Sequence, residues 1–299
     1  MFGSIPSLIA SIFEILFLIF KNIVTFFIPV YFLKKSIKDQ TVFITGAGHG
    51  LGKVLAKELS KLGAIILCCD ISKELCEETV EEIKNSGGSA LAYIADVSKR
   101  TDMYETAEKI KKEVGTVNIL INNAGIRVGN TFLDTADYNI QRVLAVNILA
   151  HMWTVKAFLP DMVDKDSGHI VTISSLAGLF GVNGLVDYST SKFAAVGFHE
   201  SIYSEMQILG KMGIKFTLIC PYIINTGMFP LSNKLGLSLD PEYGARKIVE
   251  SILTNKQLLI IPHIFRVLYL FKGSMPFNVQ FKLGRLFGND IFLKKEYWS

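Results

Sequence analysis

The chain has 299 residues, half of them hydrophobic and 19% charged, enough to bury a full core in one domain of the larger α/β kind. Its net charge of +4 comes from lysines and arginines dispersed among acidic residues, which excludes a nucleic-acid footprint. Four cysteines (Cys68, Cys69, Cys76 and Cys220) and five histidines show neither a paired framework nor zinc-site spacing, so reduced thiols and no metal are expected.

Residues 5–33 are almost continuously apolar. A spanning helix needs ~20 predominantly apolar residues, but Glu14 and Lys21 interrupt this stretch and Pro29 breaks its far end. A deep interfacial anchor, a hairpin, and a tilted span with Glu14 paired to Lys21 all fit; a buried core helix is the blander alternative. No positively charged region precedes the stretch and no small-residue cleavage site follows it, so a removed signal peptide is not expected. Lys34, Lys35 and Lys38 come next, and positive charge beside a membrane segment tends to stay cytosolic. The expectation is an anchor over residues 1–36 with the following domain facing the cytosol, at the endoplasmic reticulum membrane, a lipid droplet, or both.

From residue 40 onward strand and helix signals alternate. Strands are expected at residues 41–45, 64–69, 90–95, 117–121, 169–173, 214–219 and 258–261, with helices starting at Gly50, Lys73, Thr101 and Pro241. Two further helical stretches follow the fourth strand, and a long helix carries Tyr188 and Lys192. This alternation predicts an α/β fold, a doubly wound parallel sheet of Rossmann type, over residues 37–262. Residues 263–271 then mix Ile264, Phe265, Val267, Leu268, Leu270 and Phe271 with Arg266. A basic amphipathic helix there could lie on a membrane or close the substrate pocket, and the tail 263–299 is set apart on that ground.

The chemistry-bearing residues fall at the ends of these strands. The first strand runs into Thr45-Gly46-Ala47-Gly48-His49-Gly50-Leu51-Gly52, a tight glycine turn opening a helix, which suits a pyrophosphate. Asp70 ends the second strand, where a carboxylate would meet the adenosine ribose and repel a 2′-phosphate, favouring NAD. His49 and Lys73 are the cations that could instead help NADP. Tyr188 and Lys192 stand four apart on one helix face, with Ser175 upstream. A phenol with an ordinary pKa near ~10 is a poor base at neutral pH, and the Lys192 cation beside it would favour the phenolate. Ser175 would hydrogen-bond the substrate oxygen. Taken singly, a Tyr/Lys pair is often a solvated surface pair and a glycine turn just a turn.

Together with Asp96-Val97, Asn122-Asn123-Ala124-Gly125, Asn147 and Thr226 after Pro221, these motifs make the chain resemble the short-chain dehydrogenase/reductase superfamily over roughly residues 37 to 262. The segments around Tyr188 to His199 and Lys156 to Pro160 resemble its branch of retinol and 17-beta-hydroxysteroid dehydrogenases. The resemblance implies catalysis by Asn147, Ser175, Tyr188 and Lys192, with Asn147 fixing the water and lysine that relay the proton and Lys192 also holding the nicotinamide ribose. It implies NAD contacts from Gly46, His49, Gly50, Leu51, Gly52, Asp70, Asp96, Val97, Asn123, Ala124, Gly125, Pro221 and Thr226, and a homodimer built on the Tyr188 helix and the one before it. The family usually places Gly after the proline where this chain has Tyr222, which puts the path of that loop and the carboxamide contact of Thr226 in question.

Gly227-Met228-Phe229-Pro230-Leu231, with Leu235, Leu237 and Leu239, stands where the family builds its substrate lid, and an apolar lid suggests a lipophilic alcohol or ketone. Oxidation of all-trans-retinol to retinal is the leading expectation, with 17-beta-hydroxysteroid oxidation as the alternative. A binding or scaffold protein at a lipid-droplet or endoplasmic-reticulum surface, its site vestigial, is the reading from another class.

Overall fold

A computed structural model of the chain describes residues 5–229 and 238–286. The chain divides after Ser36 into two compact units. The first holds α1 (Ile5–Phe27) and the short α2 (Val30–Leu33). Pro6 falls in the first turn of α1, where a proline is tolerated, whereas Pro29 disfavours helical backbone at the residue before it and forces a new start. At 1.5 Å per residue, α1 is about 34 Å long. Its side chains from Ser7 to Lys21 are exposed on every side, Phe13 at 69% and Phe17 at 63%, so no buried stripe runs along that part of α1.

The second unit begins at Ile37 and is built on seven strands: β1 (Thr41–Thr45), β2 (Ile65–Asp70), β3 (Ser89–Ile94), β4 (Ile119–Asn122), β5 (Gly168–Ile173), β6 (Ile214–Pro221) and β7 (Leu258–Ile261). All pair in parallel, in the order β3-β2-β1-β4-β5-β6-β7. The direction of winding reverses between β1 and β4, where open α/β sheets bind ligands.

Seven helices complete the layers: α3 (Gly50–Ser60), α4 (Lys73–Asn85), α5 (Arg100–Glu113), α6 (Asp137–Leu144), α7 (Ala150–Lys165), α8 (Val186–Ile208) and α9 (Pro241–Leu253). Strand side chains alternate between faces. Val42 and Ile44 join Leu55 and Leu59 of α3, Val80 of α4 and Ile248 of α9 in one core. Phe43 joins Met103 of α5, Val155 and Phe158 of α7 and Met206 of α8 in the other, its ring 4.9 Å from that of Phe158. Both faces are therefore covered, as parallel sheets require.

Residues Asp137–Lys165 form one continuous helical run in which a π-helical turn, Ala145–Leu149, joins α6 to α7. The run is long and apolar enough to cross a membrane, but half of its apolar window is buried inside the protein, and its apolar residues pack on the sheet. After β7 come α10 (Ile264–Phe271), a 3₁₀ turn (Lys272–Ser274) and α11 (Phe277–Leu286), in the same compact unit as the sheet.

Candidate active site

The glycine loop is held by contacts that leave no room for side chains. A Cβ on Gly52 would stand 1.9 Å from the Gly46 carbonyl oxygen, and one on Gly46, whose φ is +66°, would stand 2.9 Å from the Ala124 Cα. The loop thus folds against the end of β4, and Asn123 stitches the two together. Its side-chain amide donates to the carbonyls of Thr45 (2.9 Å) and Gly46 (3.2 Å), while its backbone N–H and that of Ala124 both donate to Thr45 Oγ1. Asp70 closes the other side: Oδ2 accepts from Gly48 N–H at 2.8 Å and Oδ1 from Ser72 N–H at 3.1 Å. The result is an open backbone cradle at the N-terminus of α3, with a buried carboxylate at its edge and exposed His49 at its lip. A dinucleotide's pyrophosphate and ribose fit those features.

Across this cradle lies a cavity of ≈ 610 Å³. Gly46, His49, Gly50, Leu51, Gly52, Asn123, Ala124 and Gly125 line one side of it, and Ser175, Tyr188, Lys192, Pro221 and Thr226 the other. Ser175 follows β5 in extended backbone, and its Oγ accepts from Ala177 N–H at 3.1 Å, which leaves the hydroxyl proton for the hydrogen bond that joins it to Tyr188. Tyr188 is 5% exposed. Burial pushes its hydroxyl up to about 12, opposed by the Ser175 hydrogen bond and the positive charge of Arg127.

Lys192 lies one helical turn further along α8, its Nζ 5.7 Å from the Tyr188 ring centroid and donating to the Ile173 carbonyl at 3.0 Å. Burial pulls its ammonium down to about 8. Asn147 occupies the π-helical turn and is fully buried; its Oδ1 accepts from Ile126 N–H (2.8 Å), and its amide donates to the Ile126 carbonyl (2.9 Å) and Ser191 Oγ (2.9 Å). It braces the loop after β4 against α8, and Gly125 sits between it and Lys192: a Cβ there would be 3.6 Å and 3.5 Å from the two polar groups.

Three expected cofactor residues do not line this cavity: Asp70, at the edge of the cradle, and Asp96 and Val97. Asp96 follows β3 with its carboxylate occupied by Ser98, whose N–H and hydroxyl both donate to Oδ1, and Val97 is buried in the core. They stand beyond the end of β3, on the Asp70 side of the sheet. The loop after β6 takes a definite path despite Tyr222: its ring turns away to stack on Phe265 of α10 (5.2 Å, 20°), and Thr226 comes to face Gly50, its Cβ 3.3 Å from where a Gly50 side chain would begin. Of the apolar stretch that follows, Met228 and Phe229 line the cavity, whereas Leu239 packs against the core beside α9; Pro230, Leu231, Leu235 and Leu237 lie outside the described residues.

Sequence reasoning passed over Arg127. Half-buried in the cavity wall, it donates from Nε to the Met228 carbonyl and lays its guanidinium 4.9 Å from the Phe229 ring centroid; that ring in turn stands edge-on to Tyr188 at 5.9 Å. Gly129, at φ +80°, gives it space, since a Cβ there would meet Nη1 at 2.5 Å.

Residues 40–234 match the family model described as short chain dehydrogenase. The chain is 45% identical over 248 residues to epidermal retinol dehydrogenase 2 of Homo sapiens, covering 81% of this chain and 80% of the relative. It is 40% identical over 267 residues to human 17-beta-hydroxysteroid dehydrogenase 13, covering 89% and 88%. Among solved structures, a short chain dehydrogenase/reductase from Burkholderia phymatum in complex with NAD superposes with a TM-score of 0.74 at 22% identity, covering 80% of this chain and 95% of the other, a likeness of fold.

Proposed function

Because this chain belongs to the short chain dehydrogenase family and is an oxidoreductase of CH–OH groups, we propose that it oxidises a lipophilic alcohol with NAD, all-trans-retinol to retinal first and 17-beta-hydroxysteroids second. One observation carries the reading: Ser175 and Tyr188, hydrogen-bonded to each other, face the glycine cradle across a cavity whose remaining walls include Leu185, Met228 and Phe229.

The cradle of Gly46, Gly50, Leu51 and Gly52, with Asn123, Ala124, Gly125, Pro221 and Thr226 around the cavity, would hold the dinucleotide, and Asp70 would hold its adenosine ribose. Asp96 and Val97 are assigned to the adenine end. Bound there, NAD supplies the hydride acceptor. Asp70 favours NAD over NADP because a buried carboxylate beside a 2′-phosphate sets like charges together, while Lys73, one of the two alternative cations, faces Glu77 at 3.9 Å.

Ser175 orients the substrate hydroxyl and shares a proton with its oxygen. Tyr188, as phenolate, takes the hydroxyl proton, which a buried phenol manages only with positive charge close by. Arg127 provides such charge from the cavity wall, and Lys192 provides it from α8 in its protonated state. Asn147 keeps the Gly125–Ile126 backbone pressed to that site.

Helix α1 is assigned to a lipid surface at the endoplasmic reticulum or a lipid droplet, since it presents apolar side chains all round. Lys34, Lys35 and Lys38 place the catalytic unit on the cytosolic side. A homodimer through α8 and α7 completes the reading.

The experiment that tests it follows NAD and NADP reduction by membranes carrying the full chain, beside Tyr188→Phe, with retinol, estradiol and a long-chain alcohol. Turnover present in the wild type and absent in Tyr188→Phe, with dinucleotide binding retained in both, is the expected result. Turnover that survives the substitution overturns the proton-transfer role, and its absence from a wild type that still binds dinucleotide supports the lipid-surface scaffold instead.

A further inference from the structure

Behind the catalytic cavity lies a second one of ≈ 570 Å³, which neither the glycine loop nor the proton-transfer residues line. Its walls come from Phe180 and Gly181 in the turn before α8, Phe193 on α8, and the α10–α11 pair with Phe265, Leu268, Phe277 and Phe281. Leu176, Val182 and Tyr222 line both cavities, so the two spaces are neighbours across three side chains. Tyr222 is fixed in that partition by its stack on Phe265.

Of the polar groups that line the second cavity, Asn183 keeps a buried Oδ1 with no hydrogen-bond partner among the described residues, while Gln280 and Lys272 are engaged at the rim. Gln280 donates its amide to the carbonyls of Lys272 and Met275, closing the turn between α10 and α11. Lys272 holds its Nζ over two rings, 4.7 Å from the centroid of Phe193 and 5.8 Å from that of Phe180. A cation seated on aromatic faces is held against the wall by the rings' negative faces. On the outer side Phe277 is 87% exposed and Phe281 53%, near exposed Leu270 and Phe271, so the cavity meets the outside among apolar side chains. Protein interiors close up around space they do not use, and a chamber of this size and lining is within the range that binds small molecules.

We propose that this chamber holds the hydrocarbon tail of the substrate: an extended lipid alcohol whose hydroxyl reaches Ser175 and Tyr188 while its chain passes Tyr222 and emerges between α10 and α11. The proposal rests on the alcohol-oxidising reading and narrows it, because a rigid, compact ring system would end at the Tyr222 partition and leave the chamber empty. The residues that select chain length are then those of α10 and α11, not those of the catalytic cavity.

Gly181 offers the direct test, because it lines the chamber and a side chain started there meets nothing within 4 Å. The full chain in detergent is assayed with NAD against hexadecanol and hexanol, as wild type and as Gly181→Trp. The ratio of kcat/KM for hexadecanol over hexanol is expected to fall about tenfold or more, the effect of denying burial to roughly two methylenes; an unchanged ratio overturns the proposal. A second measurement does not depend on that variant folding or on turnover: the wild type is photolabelled with hexadecanol bearing a terminal diazirine. Label on peptides spanning α10 and α11 is expected, and label confined elsewhere overturns the proposal. A wild type that oxidises neither these alcohols nor retinol or estradiol but carries the label on α11 would reject the function proposed above and leave the chamber as a binding site for a lipid chain.

Discussion

Tyr188 is placed under opposing forces. The burial that shields a hydride transfer from water also pushes its hydroxyl up to about 12, and the positive group that opposes this from outside α8 is Arg127. Removing an opposite charge raises the pKa of the group it favours. In Arg127→Leu the acid limb of the kcat/KM profile for alcohol oxidation should therefore move to higher pH by about one unit; a profile that stays in place while KM alone rises would confine Arg127 to holding Met228 and Phe229. Asp70 makes a separate prediction: in Asp70→Ser the preference for NAD over NADP should fall by about tenfold or more, as expected when a like-charge contact is relieved, and competing kinetics with the two dinucleotides measure it. The sequence made Ser175, Tyr188, Lys192 and the glycines legible because each is a chemically distinctive residue at a fixed spacing. Arg127 has no such signal: its partner Met228 is 101 residues away, and a lone arginine after a glycine reads as surface. Tyr222 looked like an obstruction in the sequence because its stacking partner, Phe265, belongs to a helix that no local pattern connects to it.

Helices α7 and α8 each bury a histidine. Neither ring nitrogen of His151 has a hydrogen-bond partner among the described residues, while His199 shares a hydrogen bond with Thr172 Oγ1. Burial pulls His151 down to about 3 and His199 to about 4, from an ordinary value of 6.5, so both are neutral in the folded protein. Below pH 6.5 the unfolded chain takes up protons that the folded chain refuses. Stability is therefore intact above that value and lost as the pH falls, by up to about 1.4 kcal/mol per pH unit for each such site. Thermal melts between pH 7 and 5 should show this loss, and His151→Leu should flatten it; an unaltered slope would show that His151 already takes its proton inside the fold. Most helices could be read from the sequence because burial imposes a period on them, and strands such as β1 and β7 because burial on both faces makes them short, continuous apolar runs. The π-helical turn at Asn147 could not, since one extra residue per turn leaves the apolar spacing nearly intact. Nor could α11, ten residues long with no described residue buried, whose form comes from its neighbours.

The two compact units predict separable behaviour. A chain starting at Ile37 retains every strand and every cavity-lining residue. It should move from the membrane to the soluble fraction while keeping Tyr188-dependent oxidation of a detergent-dispersed alcohol; fractionation with the membranes would show that the α10–α11 surface holds it there unaided. The order of the sheet has a consequence in time as well as in space. Strands β1, β2 and β3 follow one another in the chain and pair as neighbours, but the far edge of β1 pairs with β4, and the hydrogen bond from Asn123 to Thr45 closes across 78 residues. A ribosome that has delivered the first three strands thus holds a nascent chain in which the edge of β1 that β4 will cover is still bare, behind a lipid-seeking helix. Dinucleotide bound as proposed, on both sides of that seam, would be recognised only by chains that have passed this point, so cofactor binding would come late in folding and mark the molecules that have completed it.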